Sequence, residues 1–541
     1  MKKITFIISI LAGTICSLAQ ISPRSNIDFN KDWRFLAGND SAAFNAAHDD
    51  SKWRTIHLPH DWSIESDFTK NAPATIQGGA LPGGIGWYRK RFVLPASAKD
   101  KKVRIEFDGV YKNSEVWING HYLGKRPNGY ISFQYDLTSY LRPSPAENVI
   151  AVKADNSQQP DSRWYSGSGI YRDVRLVVTS SEVAVDHWGS SITTEYINNK
   201  KTRINVEAKL AVNKDSLPPV TGITVNIYDK EGRLVHAGTE TLRISGMFKG
   251  DPTLFRESFE LNDPQLWSPH RPYLYKAVIR ITAGERPADE HVTVFGIRYF
   301  NFDSKKGFFL NGQPFKIQGV CMHHDLGALG AAFNAVAAKR QLKILKEMGC
   351  NAIRFSHNPP AAALLDICDE MGFLVMDEAF DIWQKRKNRF DYHLDFKEWH
   401  KKDLEDMVLR DRNHPSVFMW SIGNEIREQF DSSGTPIARE LVDIVKAIDT
   451  TRPVVSALTE TMPEKNFITR AGALDILGFN YKYYDYPELP KRFPGQKFIA
   501  TETASALSTR GVYQFPSDSI RIWPSDYKAQ DTFSNSNGNK D

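Results

Sequence analysis

Two glutamates stand where short apolar runs stop, and that placement is what could do chemistry. In NHPSVFMWSIGNEI (Asn413 to Ile426), Asn413, His414 and Pro415 punctuate the end of a charged helical stretch. Val417 to Ile422 is then a near-continuous apolar run of strand length, and Asn424 and Glu425 follow it directly. Such a run reads as a strand buried on both faces, and the carboxyl ends of such strands form the active face of a barrel of alternating strands and helices. Phe498 to Thr501 repeats the arrangement and ends in Glu502. Two carboxylates on two strand tips of one barrel can face each other across a cleft. Glycoside hydrolysis needs that pair: one group protonates the leaving oxygen while the other attacks the anomeric carbon or activates water. Either glutamate alone reads equally well as a strand-end carboxylate bonded to a loop amide, so the pairing carries the inference.

The elements that must position them begin near Phe308, where the pattern becomes strand then helix, repeated. Strands are predicted over Phe315 to Val320, Ala352 to Ser356, Phe373 to Asp377, Val417 to Ile422, Pro453 to Leu458, Leu474 to Phe479 and Phe498 to Thr501. Between them, Leu342, Leu345 and Met348 mark one face of a first helix. Ala361 to Met371 and Phe396 to Arg412 read as further helices, and Ala438, Leu441, Val442, Val445 and Ile448 stripe another. After Glu502 the chain reads ALSTRGVYQFPSDSIRIWPSDYK and then a polar tail over 531–541, with no further apolar strand. The expectation is therefore an incomplete (β/α)8 TIM barrel over 298–530 that lacks its eighth strand. Its first and seventh strands would keep open edges, and the chain by itself would be unstable or nearly inactive.

Upstream, residues 25–180 alternate short β-branched and aromatic runs with turns such as Asp108-Gly109 and Asn119-Gly120, the pattern of a β-sandwich. Residues 182–297 hold about seven more short strands, fitting an immunoglobulin-like β-sandwich. The first 19 residues, with Lys2 and Lys3, an apolar Ile4 to Cys16 and Ser17-Leu18-Ala19, read as a secretory signal peptide. The expectation is a soluble product exported to the periplasm or medium. Cys321, Cys350 and Cys368 remain, an odd number placed in predicted barrel elements, and are expected to be buried thiols. The 69 basic and 64 acidic residues are interspersed, so no nucleic-acid partner is implied, and no run beyond the leader could span a membrane. A homo-oligomer is compatible with the sequence. The high aromatic content, with 12 Trp, suits stacking against sugar rings, although packing accounts for most of it.

WSIGNE and TETAS, together with IRFSHNPP (Ile353 to Pro360) and MDEAFDIW (Met376 to Trp383), resemble glycoside hydrolase family 2. GWYRK, FDGVYKNSEVWINGHYLG and SRWYSGSGIYRDV resemble the N-terminal jelly-roll domain of that family. PQLWSPHRPYLY and FGIR resemble the end of its second domain. The resemblance implies that Glu425 is the general acid/base and Glu502 the nucleophile of a retaining reaction, with Tyr481, beside Asn480, bonding the nucleophile. It further implies a jelly-roll loop reaching the barrel mouth, with Asp161, Arg163 and Trp164 as substrate contacts; a tight turn closing the inter-domain seam explains those three equally well. Asn424 is the natural donor to the sugar 2-hydroxyl. His357 and Asn358, forced out of helix by Pro359 and Pro360, are placed to meet sugar hydroxyls. His323 and His324, beside Asp325, follow the first strand as candidate substrate contacts facing the cleft; the alternative is a binuclear metal site, but strands four to seven supply no further histidine for it. Some family members bind Mg2+ through a glutamate equivalent to Glu378; the companion histidine two residues on is Phe380 here, and no cofactor is required for the chemistry. RFSHNPP and RWYSGSGIYR look most like exported β-galactosidases, with β-glucuronidase as the alternative sugar specificity. The alternative from another class is an inactive, truncated carbohydrate-binding remnant.

Overall fold

The structure, a computed structural model, describes residues 22–213, 221–238 and 253–503. The leader and the segment in which the eighth strand is expected to be missing lie outside the described residues.

Alternating side chains build the first domain from two packed sheets. One runs in the order Ser25–Asp28, Val174–Thr179, Lys102–Phe107, Phe133–Asp136. The other runs Arg54–Ile56, Trp33–Ala37, Gly84–Val93, Glu147–Asn156, Ser114–Ile118, His121–Arg126. Val103, Ile105 and Phe107 of the first sheet bury against a cluster that includes Val116, Ile118, Ile150 and Val152 of the second. Each such side chain contributes roughly 1.5–3 kcal/mol of burial. Asn119 and Gly120 take φ of 52° and 85°, the left-handed pair that a two-residue hairpin needs. The second domain repeats the logic with three strands (Val183–Asn198, Lys201–Val212, Thr253–Asn262) and four (Leu234–Ala237, Thr221–Tyr228, Tyr275–Ala283, Arg286–Phe295) around their own core.

A small antiparallel sheet follows, Phe300–Asp303, Gly307–Leu310 and Gln313–Pro314, which the sequence reading missed. Its rings close the amino-terminal end of the barrel: Phe302 stacks on Phe418 at 6.2 Å and Phe308 meets Phe418 edge-on at 5.6 Å. Phe315 and Ile317 pack into the same cluster. The first barrel strand accordingly begins at Gly319 rather than Phe315, because the apolar residues before it plug the barrel floor instead of pairing.

Seven parallel strands then neighbour one another in chain order: β1 (Gly319–Met322), β2 (Ala352–Phe355), β3 (Leu374–Glu378), β4 (Val417–Asn424), β5 (Val454–Leu458), β6 (Ile476–Asn480) and β7 (Phe498–Glu502). Every residue of β2 to β6 is buried, whereas β1 has no buried residue and β7 buries only Thr501. Among the described residues, β1 pairs only with β2 and β7 only with β6. The Cys321 thiol reaches the Thr501 carbonyl at 3.4 Å across the remaining seam.

The main helices are α1 (Ala335–Glu347), α2 (Ala362–Met371), α3 (His393–Asp411) and α4 (Gly434–Ile448). α1 is capped by Asn334, which accepts from the Ala337 amide at 3.0 Å. Leu342 of the expected stripe is buried, but Met348 lies at the helix end and is 71% exposed. Only Cys368 of the three thiols is buried; Cys350 is half-buried and Cys321 exposed, since β1 sits at the edge of the sheet. No described helix is long and apolar enough to cross a membrane.

Buried ion pairs and arginine–carbonyl bonds lock the jelly roll to the barrel. Arg172 donates to Tyr130 O at 2.9 Å and to the carbonyls of Pro359 and Pro360 at 2.9 and 3.1 Å. Arg126 and Asn128 bond Asp403 of α3, which also accepts from Tyr392. Removing one partner of such a pair strands a buried charge, at a cost of about 3–5 kcal/mol. Asp403→Ala is therefore expected to lower the urea midpoint by an amount equivalent to about 3 kcal/mol; a midpoint equal to the parent's would show that this seam does not hold the domains together.

Candidate active site

The site is assembled at the carboxyl ends of β2, β3, β4, β6 and β7, and Arg354 of β2 sits at its centre. Buried in the barrel, its guanidinium donates to Glu378 at 2.8 and 3.0 Å, to Glu502 at 2.7 Å and to the Asn424 side-chain oxygen at 2.9 Å. Three strand tips are thus tied to one cation. The sequence reading passed over this residue, although it lies inside the IRFSHNPP stretch.

Glu378 is fully buried. Besides Arg354, its oxygens take the His357 ring at 2.7 Å and the Ser421 hydroxyl at 2.6 Å. The position two residues on, Phe380, stacks on Tyr392 at 5.4 Å. An arginine, an imidazole and a hydroxyl around one carboxylate do not fit a magnesium ion. Glu378 instead orients Arg354 and His357.

Glu502 lies next in the chain of bonds. Burial by itself would raise its pKa, but the positive charge of Arg354, with His357 and a hydrogen bond from Tyr481, holds the carboxyl below its ordinary value. Burial and that same bond push the Tyr481 phenol well up, so it stays protonated as donor. Tyr481 stands just past β6 at φ 53°, with its amide on the Glu502 carbonyl at 2.7 Å. Glu425, at φ 46° just past β4, accepts from the Asn480 amide at 3.1 Å, and Asn480 also donates to Asn424 at 3.1 Å. Left-handed backbone is uncommon for both residue types and carries strain of order 1–3 kcal/mol. It turns each side chain off its strand into the mouth. Asn480, which bonds Glu425, is itself paired with Glu502 in the sheet, so the two carboxylates stand at the same end of the barrel.

The loop from the jelly roll forms one wall. Gly167 (φ 71°) makes the approach, since a Cβ there would sit 2.6 Å from Ala331 and 2.7 Å from Asp61. Trp164 stacks on His323 at 5.0 Å and meets His357 edge-on at 5.5 Å. With Asp161, Asn358 and Asp381 it lines a cavity of about 60 Å³. Asp161 accepts from Tyr111 at 2.8 Å and pairs with Lys112 at 3.2 Å. Burial drives the His323 pKa down to about 3, so that ring is neutral. His324 turns away, with Nε2 on the Ser166 carbonyl at 3.0 Å and its ring against Tyr130 and Tyr171. The two histidines thus do not converge on a common ion.

Sequence reasoning also missed Asp381 and Lys387. Asp381 accepts from Arg163 at 2.7 Å, Lys387 at 2.8 Å and Asn424 at 2.8 Å. Burial opposes its ionisation, but those two cations hold its carboxyl far below the usual range. Lys387 also donates to the Asn424 carbonyl at 2.7 Å. Asn424 therefore has every polar group engaged by neighbours that fix its plane. Among the described residues, one group of acids and imidazoles clusters closely enough to suggest a metal: Asp366, Asp369 and His414. It lies at the opposite end of the barrel. Against the effect of burial, Asp369 raises the His414 pKa to about 9, and the His414 ring bonds the Asp369 carboxylate at 2.6 Å.

Three descriptions of one family match the chain in series: "Glycosyl hydrolases family 2, sugar binding domain" over residues 28–180, "Glycosyl hydrolases family 2" over 188–298 and "Glycosyl hydrolases family 2, TIM barrel domain" over 303–517. The chain belongs to glycoside hydrolase family 2. Among relatives of this family 2 chain, a β-galactosidase of Bacteroides ovatus is 47% identical across 95% of the chain and 63% of its own length. A putative β-glucuronidase of Formosa agariphila is 37% identical across 94% of the chain and 46% of its own length. The crystal structure of a glycosyl hydrolase family 2 member from Bacteroides cellulosilyticus superposes with a TM-score of 0.85 at 38% identity, covering 89% of this chain and 62% of that one. The chain thus spans less than two thirds of the length of each.

Removing Arg354 should leave Glu378 in the barrel interior without its guanidinium partner, bonded only to His357 and Ser421. Arg354→Ala is expected to cost about 3–5 kcal/mol at pH 7. Arg354 lowers the Glu378 pKa despite burial, so the stability it supplies is present above the ordinary carboxylate pKa and is lost as pH falls through the lowered one. Urea denaturation of both proteins should therefore show a gap that is largest near neutrality and narrows below about pH 4; a gap independent of pH would contradict the assignment.

Proposed function

We propose that this chain carries the active site of a retaining β-glycoside hydrolase, with terminal β-galactosides as substrates. The observation that supports this best is the unequal treatment of two carboxylates at one end of the barrel. Glu502 is gripped by Arg354 and Tyr481, whereas Glu425 accepts from a neutral amide, Asn480. An ionised Glu502 suits attack on the anomeric carbon, and Glu425 then gives its proton to the leaving oxygen as that bond breaks. In the second half, water gives a proton back to Glu425 and its oxygen displaces Glu502 from the sugar. Asn424, with its plane fixed by Arg354, Asp381 and Asn480, stands beside the acid/base where the sugar 2-hydroxyl would lie. Trp164 and the neutral His323 offer one wall to the ring.

The galactoside reading is favoured over a glucuronide by the charges at the mouth. Among the described residues, Arg163 and Lys387 are cations near the glutamates that could meet a uronate, and both are already tied to Asp381. The B. ovatus relative, a β-galactosidase, points the same way. The N-terminal leader pattern supports an exported protein acting on glycosides outside the cytoplasm.

A panel of nitrophenyl glycosides tests the reading, with hydrolysis of the β-galactoside expected to exceed that of the β-glucuronide. Hydrolysis of none, alongside retained glycan binding, would favour the remnant reading instead. Glu502→Gln should abolish turnover and labelling by a 2-fluoro galactoside, whereas Glu425→Ala should spare activated leaving groups and respond to azide; labelling that persists in Glu502→Gln would overturn the nucleophile. Tyr481→Phe removes a bond that keeps the Glu502 pKa low. The acid limb of kcat/KM should therefore move to higher pH and kcat should fall by about ten-fold; an unmoved limb would place the tyrosine outside the nucleophile's control.

A further inference from the structure

A cleft of about 480 Å³ opens where the three domains meet. It shares no lining residue with the cavity at Trp164 and Asp381. α3 offers it Trp399, Lys402, Asp406 and Leu409, at the spacing of one helix face. The jelly roll adds Lys125, Arg126 and Gln134, and the second domain adds Trp188 and Lys209.

Trp188 is there because the strand is broken to aim it. Val183 to Val185 pair regularly with Leu210 to Val212, and pairing resumes at Ser190 opposite Ala208. Four residues, Asp186 to Gly189, therefore face one, Lys209. Bulges of this kind re-aim side chains and recur beside binding sites. Trp188 takes φ 50°, an outlier for a bulky residue, and a Cβ on Gly189 would sit 2.7 Å from the Lys209 carbonyl. The bulge is pinned by Arg412, which donates to the Trp188 carbonyl at 3.0 Å. His187, its Nδ1 on Glu106 at 2.9 Å, lies against the indole.

Around this cleft three buried polar atoms have no hydrogen-bond partner: Arg126 Nε, Gln134 Oε1 and His187 Nε2. Buried polar groups are otherwise almost always satisfied, so three on one lining point to a polar ligand. Charge gives its sign. Arg126 is paired with Asp403 and Asp406, Lys402 with Asp406 and Lys209 with Asp186, so four cations meet three carboxylates, and Lys125 makes no ion pair among the described residues. We propose that this cleft is a second, non-catalytic saccharide site for an acidic glycan. The carboxylate or sulfate of the glycan meets Lys125 and Lys209, a pyranose ring packs on Trp188, and hydroxyls reach the unpartnered atoms. A concave, cationic cleft with two indoles and sunken polar groups fits a few sugar units better than the flatter, apolar surface that a protein partner prefers.

The test titrates the full chain with trigalacturonate, a sulfated galactan tetrasaccharide and neutral galactotriose, followed by calorimetry and tryptophan fluorescence. At least one anionic saccharide should bind and quench fluorescence while galactotriose does not; which one binds separates carboxylate from sulfate. Trp188→Gly keeps a residue suited to positive φ, and Lys125→Glu lies on an exposed edge strand, so it carries the test even if the first variant fails to fold. Each should weaken binding by at least about ten-fold with hydrolysis of nitrophenyl galactoside unchanged. Failure of both anionic saccharides to bind, equal binding of galactotriose, or parent-like affinity in folded Lys125→Glu would overturn the site. None of these outcomes bears on the glutamates.

Discussion

A buried guanidinium must find its full complement of acceptors, and at Arg354 that demand shapes the barrel mouth. Taking a cation out of water costs several kcal/mol unless charges of opposite sign meet it in good geometry. Here Glu378 and Glu502 supply the charge and Asn424 a neutral oxygen, from β3, β7 and the end of β4. The arginine is satisfied only when those strands stand at the right register and depth. The same contacts that pay its desolvation therefore hold the proposed nucleophile, and the amide beside the proposed acid, in fixed relation.

The other domains complete this arrangement. Arg172 anchors the jelly roll on the carbonyls of Pro359 and Pro360, directly after His357 and Asn358, so the loop carrying Trp164 and Arg163 is referenced to the same strand end as Arg354. Arg163 reaches Asp381, and Asp381 bonds Asn424. A continuous path of charge-assisted hydrogen bonds thus runs from the jelly roll through Asp381 and Asn424 to Arg354 and Glu502. The second domain takes no part in it. It seats its Trp267 indole on the Asp369 carbonyl and lets Arg298 hold the carbonyls that open β4, which sets the far end of the barrel.

Glu425 and Glu502 were legible because a buried parallel strand is a continuous apolar run, and a carboxylate immediately after one is conspicuous. Asn424 was visible beside Glu425 for the same reason, whereas Tyr481 and the loop around Trp164 came with the family resemblance. Arg354 was hidden for the opposite reason: one charged residue inside the short run Ala352 to Phe355 looks like an interruption of a strand, and only the folded sheet shows the three acceptors waiting for it. Asp381 and Lys387 lie in an irregular stretch with no periodicity to read, and their partners are distant in sequence. Phe315 to Gln318 was read as strand because apolar residues that plug a barrel floor and those that line its wall look alike in one dimension. Met348 continued a helical stripe on paper, but the helix ends before it can face the core. The bulge at Trp188 leaves no trace in composition at all.

The most direct test of the account is a crystal structure of this chain after reaction with a 2-deoxy-2-fluoro-β-galactoside bearing an activated leaving group. The account predicts an ester between the anomeric carbon and Glu502, with Arg354 still bonded to Glu378 and Asn424 and with Glu425 facing the side from which the leaving group departed. A sugar attached elsewhere, or a Glu502 that stands apart from both Arg354 and the sugar, would contradict it.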